Sequence, residues 1–587
     1  MRSFEEIKGL AEAGLGKVTC DLKIENVNLV NVFSEEIYPT NIYIKDKRIV
    51  SIDPKAVLQA KEIIDAKNKY AVPGLIDSHI HIETTMLPPE SLSAFTLVKG
   101  TTTLCVDFME IANVCGEDGL KAMVQSMEKL PYRILLEVSS RVPTAPGLET
   151  TGAVLGSNEV ARIMEWKESV SLGELDPSKI LFVKDEYLHK IADTLQKRKI
   201  VNGHAIGRLG QELNVYASSG ISDDHECVNT EELIARLRVG MKVLIREGSS
   251  ERNLDALITG ALENGLNFDN LMFCTDDKHI TDILEEGHIN YNVNRAIELG
   301  VPPIKAIQMG TLNTAKHFRL EDEIGSITPG RFADILLVDT IDRIEPKTVI
   351  FQGKVVAQEG RLTEEMIELN YPEWIKQTVT LKNSITAESF KMVSKVNEGR
   401  VRVNVIDLID TQIINKCMEA CLPVFDHKVS VDLDKDIVKL AVVERYGKTG
   451  GIGIGFVHGS GLKKGAMAFS TSHDHHNIVV MGTNDTDMAA ATNEIKRLQG
   501  GLATASDGEV KQSMALTIGG LMSEEPVDMV LSQLAVMNQS AEALGCTMTA
   551  PFMALSFISL PTVPELGLTD LGLIDVLNHQ LIEVIKE

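Results

Sequence analysis

Two histidines stand one residue apart at the end of an apolar run, in the segment VPGLIDSHIHIE at 72–83. A β-strand directs alternate side chains to the same face, so His79 and His81 can point two ring nitrogens at one ion. Taken alone, such a pair is more often found as surface or hydrogen-bonded histidines. Glu83 follows them and has the right type for a third ligand.

Further imidazoles and carboxylates stand at the ends of later strand-like segments. In chain order they are Asp107, Glu110, Glu174, His204, His225, Glu226, Asp276 and Asp277. Histidine combined with carboxylate suits a divalent transition metal such as Zn, Mn or Fe, whereas Ca and Mg prefer oxygen ligands. Because these residues recur in order at strand ends, we expect the two histidines to belong to a metal site.

The elements that must position these residues lie in 73–319, where apolar strand-like runs alternate with helical stretches. This alternation predicts βα units, and the length matches the roughly 250 residues of a (β/α)8 TIM-type barrel, an α/β fold. In such a barrel the carboxyl ends of the strands meet at one face, where functional residues collect. The eight candidate strands are GLIDSHI, TTTLCVDF, RILLEVS, VSLGEL, IVNGHAI, GISDDHE, MKVLIRE and NLMFCTDD.

The segments on either side of the barrel differ from it in their pattern of apolar and polar residues. Residues 1–72 and 320–375 contain short alternating strands and turns, and we expect them to complete one another as a small composite β-sandwich domain. Residues 376–587 combine strand-like runs with helical patterns such as PVDMVLSQLAVMNQSAEALG. This last segment is predicted to be a C-terminal α+β domain.

Three features suggest roles within the site. Glu174 stands where a carboxylate bridging two ions would be needed, although a strand-terminal glutamate is more commonly solvated; a carboxylated Lys184 is the alternative bridge. Asp276 can take a proton from water and pass it to a leaving group, the role of a general acid and base. The cluster SHDHHN, with His473, His475 and His476, either binds metal or is structural.

Two other sequence motifs of known enzyme classes are incomplete in this chain. His81 and Glu83 match the H-x-E start of the zinc nucleoside and cytosine deaminases, but no P-C-x-x-C follows anywhere in the chain. The glycine-rich stretch GKTGGIGIGF at 447–456 lacks both a phosphate-loop Gly-Lys-Ser/Thr and a well-placed G-x-G-x-x-G, so a tight turn is the better interpretation. Glu83 is therefore expected to brace the loop after the first strand.

Composition limits the partners and the setting. The chain has 58 basic and 83 acidic side chains and a net charge of −25, which disfavours non-specific binding to nucleic acid or to an anionic membrane. A small-molecule substrate is the easier partner. The eight cysteines are scattered and no window is apolar enough for a membrane span, so a reduced, cytoplasmic setting is expected.

Longer sequence segments resemble those of a known family. The opening VPGLIDSHIHIE resembles the metal-dependent amidohydrolase superfamily, and the further phrases resemble one branch of it, the bacterial adenine deaminases. They extend over nearly the whole chain and include EIANVCG, RVPTAPGLETTGA, NVYASSGISDDHEC, IREGSSERNL, FCTDDKH, GHINYNVNRAIELGV, GSITPGRFADI, SHDHHNIVVMGTND, GGLMSEEP and PFMALSFISLPTVPELGLTD.

The resemblance implies deamination of adenine to hypoxanthine and ammonia, as in purine salvage, by a homo-oligomer. It implies two divalent ions, with Mn or Fe typical and Zn possible. The implied metal ligands are His79, His81, Glu174, His204, His225 and Asp276.

The same resemblance implies roles for several acids. Asp276 would move a proton from the attacking water to the departing amine, while another acid protonates ring N1. The candidates for catalysis and ring contacts are Asp107, Glu110 and Glu226, with Glu149 as a substrate-binding residue.

One departure from the family pattern concerns the substrate. Where the family reads Asp-Pro-His-Glu before IANV, this chain reads Asp107-Phe108-Met109-Glu110. A methionine cannot relay a proton, so a slow reaction on adenine, or another aminated heterocycle or cyclic amide as substrate, is the alternative. A non-enzymatic assembly module would have lost metal ligands, and all six are present.

Overall fold

The computed structural model describes residues 2–249, 251–365, 367, 369–410, 412, 414–562 and 565–586. The polypeptide begins with one helix and five strands that precede the barrel segment. They are α1 (Phe4–Gly14), β1 (Cys20–Asn31), β2 (Glu36–Lys45), β3 (Arg48–Ser51), β4 (Ala60–Asp65) and β5 (Tyr70–Pro73). Ser3 caps α1 by accepting a hydrogen bond from the amide of Glu6, which fixes where the helix begins.

The next segment alternates strands and helices. It consists of β6 (Leu75–Ile80), α2 (Pro89–Val98), β7 (Thr101–Asp107), α3 (Met109–Met127), β8 (Arg133–Val138), α4 (Ser157–Ile163), β9 (Ser169–Leu175), α5 (Pro177–Leu181), α6 (Asp185–Gln196), β10 (Ile200–Gly203), α7 (Gly210–Ser218), β11 (Asp223–Asp224), α8 (Thr230–Arg238), β12 (Lys242–Arg246), α9 (Leu254–Glu263), β13 (Leu271–Cys274), α10 (Ile280–Glu285), α11 (Ile289–Glu298), α12 (Pro303–Met309) and α13 (Leu312–His317). All eight predicted strands are confirmed, although the sixth is reduced to two residues.

These eight strands are parallel and form two runs, β6 to β10 and β11 to β13. Backbone hydrogen bonds join the runs at both junctions. The amide of Ser222 donates to the carbonyl of Val201 at 2.8 Å, and the amide of Asp276 donates to that of His79 at 3.0 Å. The first and last strands are thereby brought together, which places all eight carboxyl ends at one face.

Four strands follow the barrel segment: β14 (Ile335–Val338), β15 (Pro346–Phe351), β16 (Lys354–Gln358) and β17 (Arg361–Leu362). Through the antiparallel pairing of β14 with β5 they join β1 to β4 in one nine-stranded sheet. The sheet curls, because Ile49 near one edge and Ile350 near the other share a single buried cluster. On the opposite face of β14, Leu336 packs with side chains of the barrel helices.

The remaining residues form a mixed domain. Its elements are β18 (Gly399–Leu408), β19 (Asn415–Phe425), β20 (Lys428–Val429), β21 (Ile437–Val443), β22 (Ile452–His458), β23 (Ala466–Phe469), β24 (Ile478–Gly482), α14 (Asp485–Leu498), β25 (Gly501–Ser506), β26 (Glu509–Ala515), α15 (Val527–Ala543), α16 (Pro551–Phe557), β27 (Leu566–Thr569), β28 (Gly572–Asp575), β29 (Gln580–Ile582) and β30 (Ile585–Lys586). Strands β18 to β26 and β30 make a ten-stranded sheet, and β27 to β29 a three-stranded one.

This C-terminal part contacts the barrel closely. The side-chain amide of Asn477, in the loop between β23 and β24, donates to the carbonyl of Thr150 at 2.8 Å, and the amide of Ser523 donates to that of Met86 at 2.9 Å. None of the helices that the structure describes combines the length and hydropathy that a membrane span requires. The domain boundaries at 72/73, 319/320 and 375/376 stay predictions.

Packing between the nine-stranded sheet and the barrel can be tested at Leu336, which is fully buried between them. We expect Leu336→Ala to lower the free energy of unfolding by about 2–5 kcal/mol, because the removed methyl groups leave a cavity. Chemical denaturation followed by circular dichroism measures the change. The control is Ile63→Ala on β4, where 59% of the side chain is exposed and the change should stay within about 0.5 kcal/mol.

Candidate active site

A cavity opens at the carboxyl ends of the barrel strands. Its lining includes eight barrel residues singled out from the sequence: His81, Met109, Glu110, Glu174, His204, Glu226, Asp276 and Asp277. Three further barrel residues join them, Arg141, Arg246 and Glu251. The C-terminal domain contributes His473, which the sequence also singled out, with Asp474, Phe557 and Leu560. The cavity is therefore walled by two parts of the chain.

Glu174, the last residue but one of β9, lies at the centre of the imidazole groups. Its Oε1 is 3.6 Å from His81 Nε2, whereas its Oε2 is 2.9 Å from His204 Nδ1 and 3.2 Å from His225 Nε2. The two oxygens of one carboxylate thus face two different groups of histidines. This is the arrangement that a carboxylate bridging two ions requires.

Hydrogen bonds fix the ring orientation of the first two histidines. Nδ1 of His79 lies 2.6 Å from Glu137 Oε2, and Nδ1 of His81 lies 2.9 Å from the carbonyl oxygen of Asp107. Because both partners are acceptors, each Nδ1 carries the proton and each Nε2 keeps its lone pair. Nε2 of His79 is buried and has no hydrogen-bond partner among the described residues, as expected for a metal ligand.

Asp276 follows the last barrel strand and adopts a left-handed backbone conformation, with φ of 56°. Its Oδ1 lies 3.6 Å from Nε2 of both His79 and His81. Its Oδ2 accepts a hydrogen bond from Arg246 at 2.9 Å. One oxygen is therefore held in place while the other faces the histidines.

Sequence reasoning missed Arg141, Arg246 and Glu251 of the cavity lining, and Glu137 behind it. Arg141 donates to Glu174, and Arg246 binds Glu226 through both of its terminal nitrogens, at 2.6 and 3.0 Å. Arg246 ends β12 and Arg141 follows β8, so the strand-end criterion would have found both arginines had it included basic residues. Glu137 is the last residue but one of β8, the position that Glu174 has in β9, so the strand-end criterion could have found it, although its pairing with His79 leaves no signal in the sequence.

The arginines decide which acids stay ionised. Burial raises the pKa of Glu174, but Arg141 and His204 outweigh it and hold the pKa well below its usual range. Arg246 likewise overcomes burial and lowers the pKa of Glu226 and of Asp276. These three carboxylates therefore carry negative charge that can hold cations.

Two other acids of the cavity have no such partner. Burial and the neighbouring Glu83 raise the pKa of Glu110 well above its usual range, and burial with Asp276 raises that of Asp277 to about 7. Each has an oxygen without a hydrogen-bond partner among the described residues, Oε2 of Glu110 and Oδ1 of Asp277. Both are free to bind a polar ligand.

Other predicted residues lie outside the cavity lining. Asp107 is buried behind His81, and Glu149 accepts a hydrogen bond from the amide of Ala145 at 2.9 Å within its own loop. Lys184 is exposed immediately before α6, which removes it as a bridge between ions. Glu83 accepts from the amide of Ile111 at 3.2 Å, and so braces the first turn of α3.

The histidine cluster of the C-terminal domain reaches the site. His473 lines the cavity and stacks on Phe557, with ring centroids 4.5 Å apart. Its Nδ1 is 3.9 Å from Glu110 Oε1, and the adjacent Asp474 is 3.7 Å from Arg141. Only His473 and Asp474 of this loop line the cavity among the described residues.

The donor set fits divalent metal. Three groups of buried residues each bring three possible ligand atoms within 4.8 Å of one another: His79 with His81 and Glu174, Glu174 with His204 and His225, and His79 with His225 and Asp276. Mixed imidazole and carboxylate ligands are typical of Zn, Mn and Fe. A parallel barrel with these groups at its carboxyl face defines a metal-dependent hydrolase of the amidohydrolase class.

Comparison with known proteins narrows this class. Residues 70–379 match the Amidohydrolase family, and residues 412–580 match the Adenine deaminase C-terminal domain. The chain is 53% identical to an adenine deaminase of Desulforamulus reducens over 585 residues, 99% of either chain. It is 38% identical to an adenine deaminase of Moorella thermoacetica over 99% of this chain and 98% of that one. The chain belongs to the adenine deaminase family.

Glu137 provides a test of the metal site away from the cavity. Because Glu137 fixes the proton on His79 Nδ1, we expect Glu137→Gln to weaken metal binding by about 10–100-fold. Competition against a chromophoric chelator measures the affinity. Glu212→Gln, a surface change of the same chemistry, is the control; equal affinities for the two variants would contradict this role.

Proposed function

We propose that the protein hydrolyses adenine to hypoxanthine and ammonia, with water attacking the purine C6. The observation that carries the proposal is Glu174, a buried carboxylate whose two oxygens face separate groups of histidines. The adenine deaminase names of the relatives, and the match of the C-terminal domain, support this substrate.

We propose His79, His81, Glu174, His204, His225 and Asp276 as ligands of two divalent ions. Mn or Fe suits this mixture of imidazole and carboxylate, and Zn is the further candidate. When bound, the ions supply the Lewis acidity that activates water at neutral pH.

Asp276 is the proposed proton carrier. Its Oδ1 lies 3.6 Å from Nε2 of both His79 and His81, whereas Arg246 holds its Oδ2, so the carboxylate keeps one orientation during the proton transfer. It takes a proton from the attacking water and delivers it to the amine at C6, which leaves as ammonia. Glu226 is bound by both arms of Arg246 and is proposed to position that arginine rather than to donate a proton.

Glu110 and Asp277 are proposed to contact the purine ring. Both line the cavity, and each has a buried oxygen without a described partner that can serve a ring nitrogen. Asp107 is proposed to orient His81 through its carbonyl oxygen, and Glu149 to shape the loop that carries Thr144 and Ala145. Neither of these two acids lines the cavity.

We also propose a cytoplasmic setting and a homo-oligomeric state. All eight cysteines are free thiols, which suits a reducing compartment. Exposed apolar side chains such as Phe425 and Leu577 offer surface for contact between copies of the chain.

Ammonia release tests the substrate. We expect the Mn-loaded protein to release ammonia from adenine, and Asp276→Asn to reduce kcat by about 100–10,000-fold because the amide cannot carry the proton. A coupled glutamate dehydrogenase assay follows the ammonia. No release from adenine by protein with at least two ions per chain, together with release from another 6-substituted purine or guanine, would move the assignment to a paralogous substrate.

Met109 is the residue that favours a substrate other than adenine. It lines the cavity beside Glu110, at the position where the family pattern has a histidine. We expect Met109→His to raise kcat on adenine, because an imidazole there can relay protons and a thioether cannot. Met109→Leu, which keeps the volume and adds no proton relay, should leave kcat near wild type; equal rates for all three proteins would make the departure neutral.

A further inference from the structure

A second group of metal-type side chains lies where the barrel meets the C-terminal domain. Glu110 stands in the first turn of α3, and His473 and His476 belong to the loop between β23 and β24. All three are buried, with 1%, 6% and 0% of their surfaces exposed, and one possible ligand atom of each lies within 4.8 Å of the others. None of them belongs to the ligand set proposed above.

The two neighbouring histidines His475 and His476 differ in their bonding. Nδ1 of His475 accepts from the amide of Asn477 at 3.2 Å, and its Nε2 lies 3.5 Å from Ser472 Oγ. Both ring nitrogens of His476 are buried without a hydrogen-bond partner among the residues that the structure describes. Leaving one buried polar atom unsatisfied costs about 1–3 kcal/mol, so His476 is expected to bind something.

Glu83 and Glu110, the two acids next to these histidines, each have an oxygen that lacks a hydrogen-bond partner among the described residues. Oε2 of Glu83 and Oε2 of Glu110 have no hydrogen-bond partner in the described part of the chain, and neither acid forms an ion pair there with a lysine or arginine. Buried carboxylates are normally paired or coordinate a metal. A water molecule could offer hydrogen bonds to His476 and Glu110, whereas a divalent cation would also bind Glu110 in its ionised form and join the two side chains at one point.

The ligand types define the kind of cation. Two imidazoles with one carboxylate are a set that divalent Zn, Mn and Fe accept. Two ligands of one such ion stand at most about 4.2 Å apart, since each bond is about 2.1 Å. His473 Nδ1 and Glu110 Oε1 already meet this limit at 3.9 Å, and stacking on Phe557 holds the His473 ring.

We propose that Glu110, His473 and His476 bind a third divalent transition-metal ion, distinct from the pair in the barrel. The ion ties the loop between β23 and β24 to the first turn of α3, across the seam between the two domains. Glu110 is then an ionised ligand through Oε1, so its Oε2 can only accept a hydrogen bond, and of the two acids proposed to contact the purine ring Asp277 alone can donate one.

Metal counting tests this inference. Protein equilibrated by dialysis against micromolar Mn²⁺ is analysed by inductively coupled plasma mass spectrometry, and we expect three ions per chain in the wild type and two in His476→Ala. Glu110→Gln keeps the side-chain shape and should lose the same ion. His475→Asn, a change in the adjacent residue, is the control and should keep three.

A wild-type count of two, or a count of three in His476→Ala, would overturn the third site. The wild-type count stands without any variant, so poor folding of His476→Ala does not remove the test. Ammonia release from adenine is measured on the same samples. Two ions with full turnover defeat the third site alone, whereas three ions without turnover defeat the proposed function alone.

Discussion

The burial of Glu174 as an ionised carboxylate is the interaction on which the rest of the site depends. An isolated buried charge costs several kcal/mol, and the cost is met only where cationic or polar partners stand at fixed positions. Here Arg141 and the rings of His204 and His225 surround it. These partners come from distant parts of the sequence, so only a closed set of parallel strands can assemble them at one point.

The strands position these groups through a second layer of contacts. Glu137 and the carbonyl of Asp107 set the protons of His79 and His81, and Arg246 sets Asp276. Close packing leaves little freedom around them: a Cβ on Gly173 would stand 2.2 Å from Asp107 Oδ2. The geometry of the cavity therefore depends in part on Glu137 and Asp107, buried residues that do not line it.

Sequence reasoning found the residues that follow a general rule. Polar residues at strand ends identified most of the barrel side of the cavity, because the carboxyl ends of parallel strands share one face. It did not find Glu137, although this acid has the same position at the end of β8 as Glu174 has in β9, because its contact with His79 joins two strands that are distant in sequence. It also proposed Glu149 and Asp107 for contacts with the substrate, and neither lines the cavity, because spacing along the chain says nothing about which side of a loop faces it. His473 and Glu110 are hundreds of positions apart in sequence, yet His473 Nδ1 lies 3.9 Å from Glu110 Oε1. Only the fold reveals this contact.

This last contact belongs to a wall that the C-terminal domain contributes to the cavity. The barrel supplies the ionised groups, but one wall of the cavity consists of His473, Asp474, Phe557 and Leu560, all from beyond the barrel. A planar, largely uncharged ring gains from an aromatic and apolar wall opposite its polar contacts, because stacking and hydrogen bonding then act on different faces and edges of the same molecule. Without that wall the acids would face water, and their interactions with a substrate would weaken in the higher dielectric. The aromatic and apolar side of the cavity is therefore supplied from beyond the barrel, and the ionised side from within it.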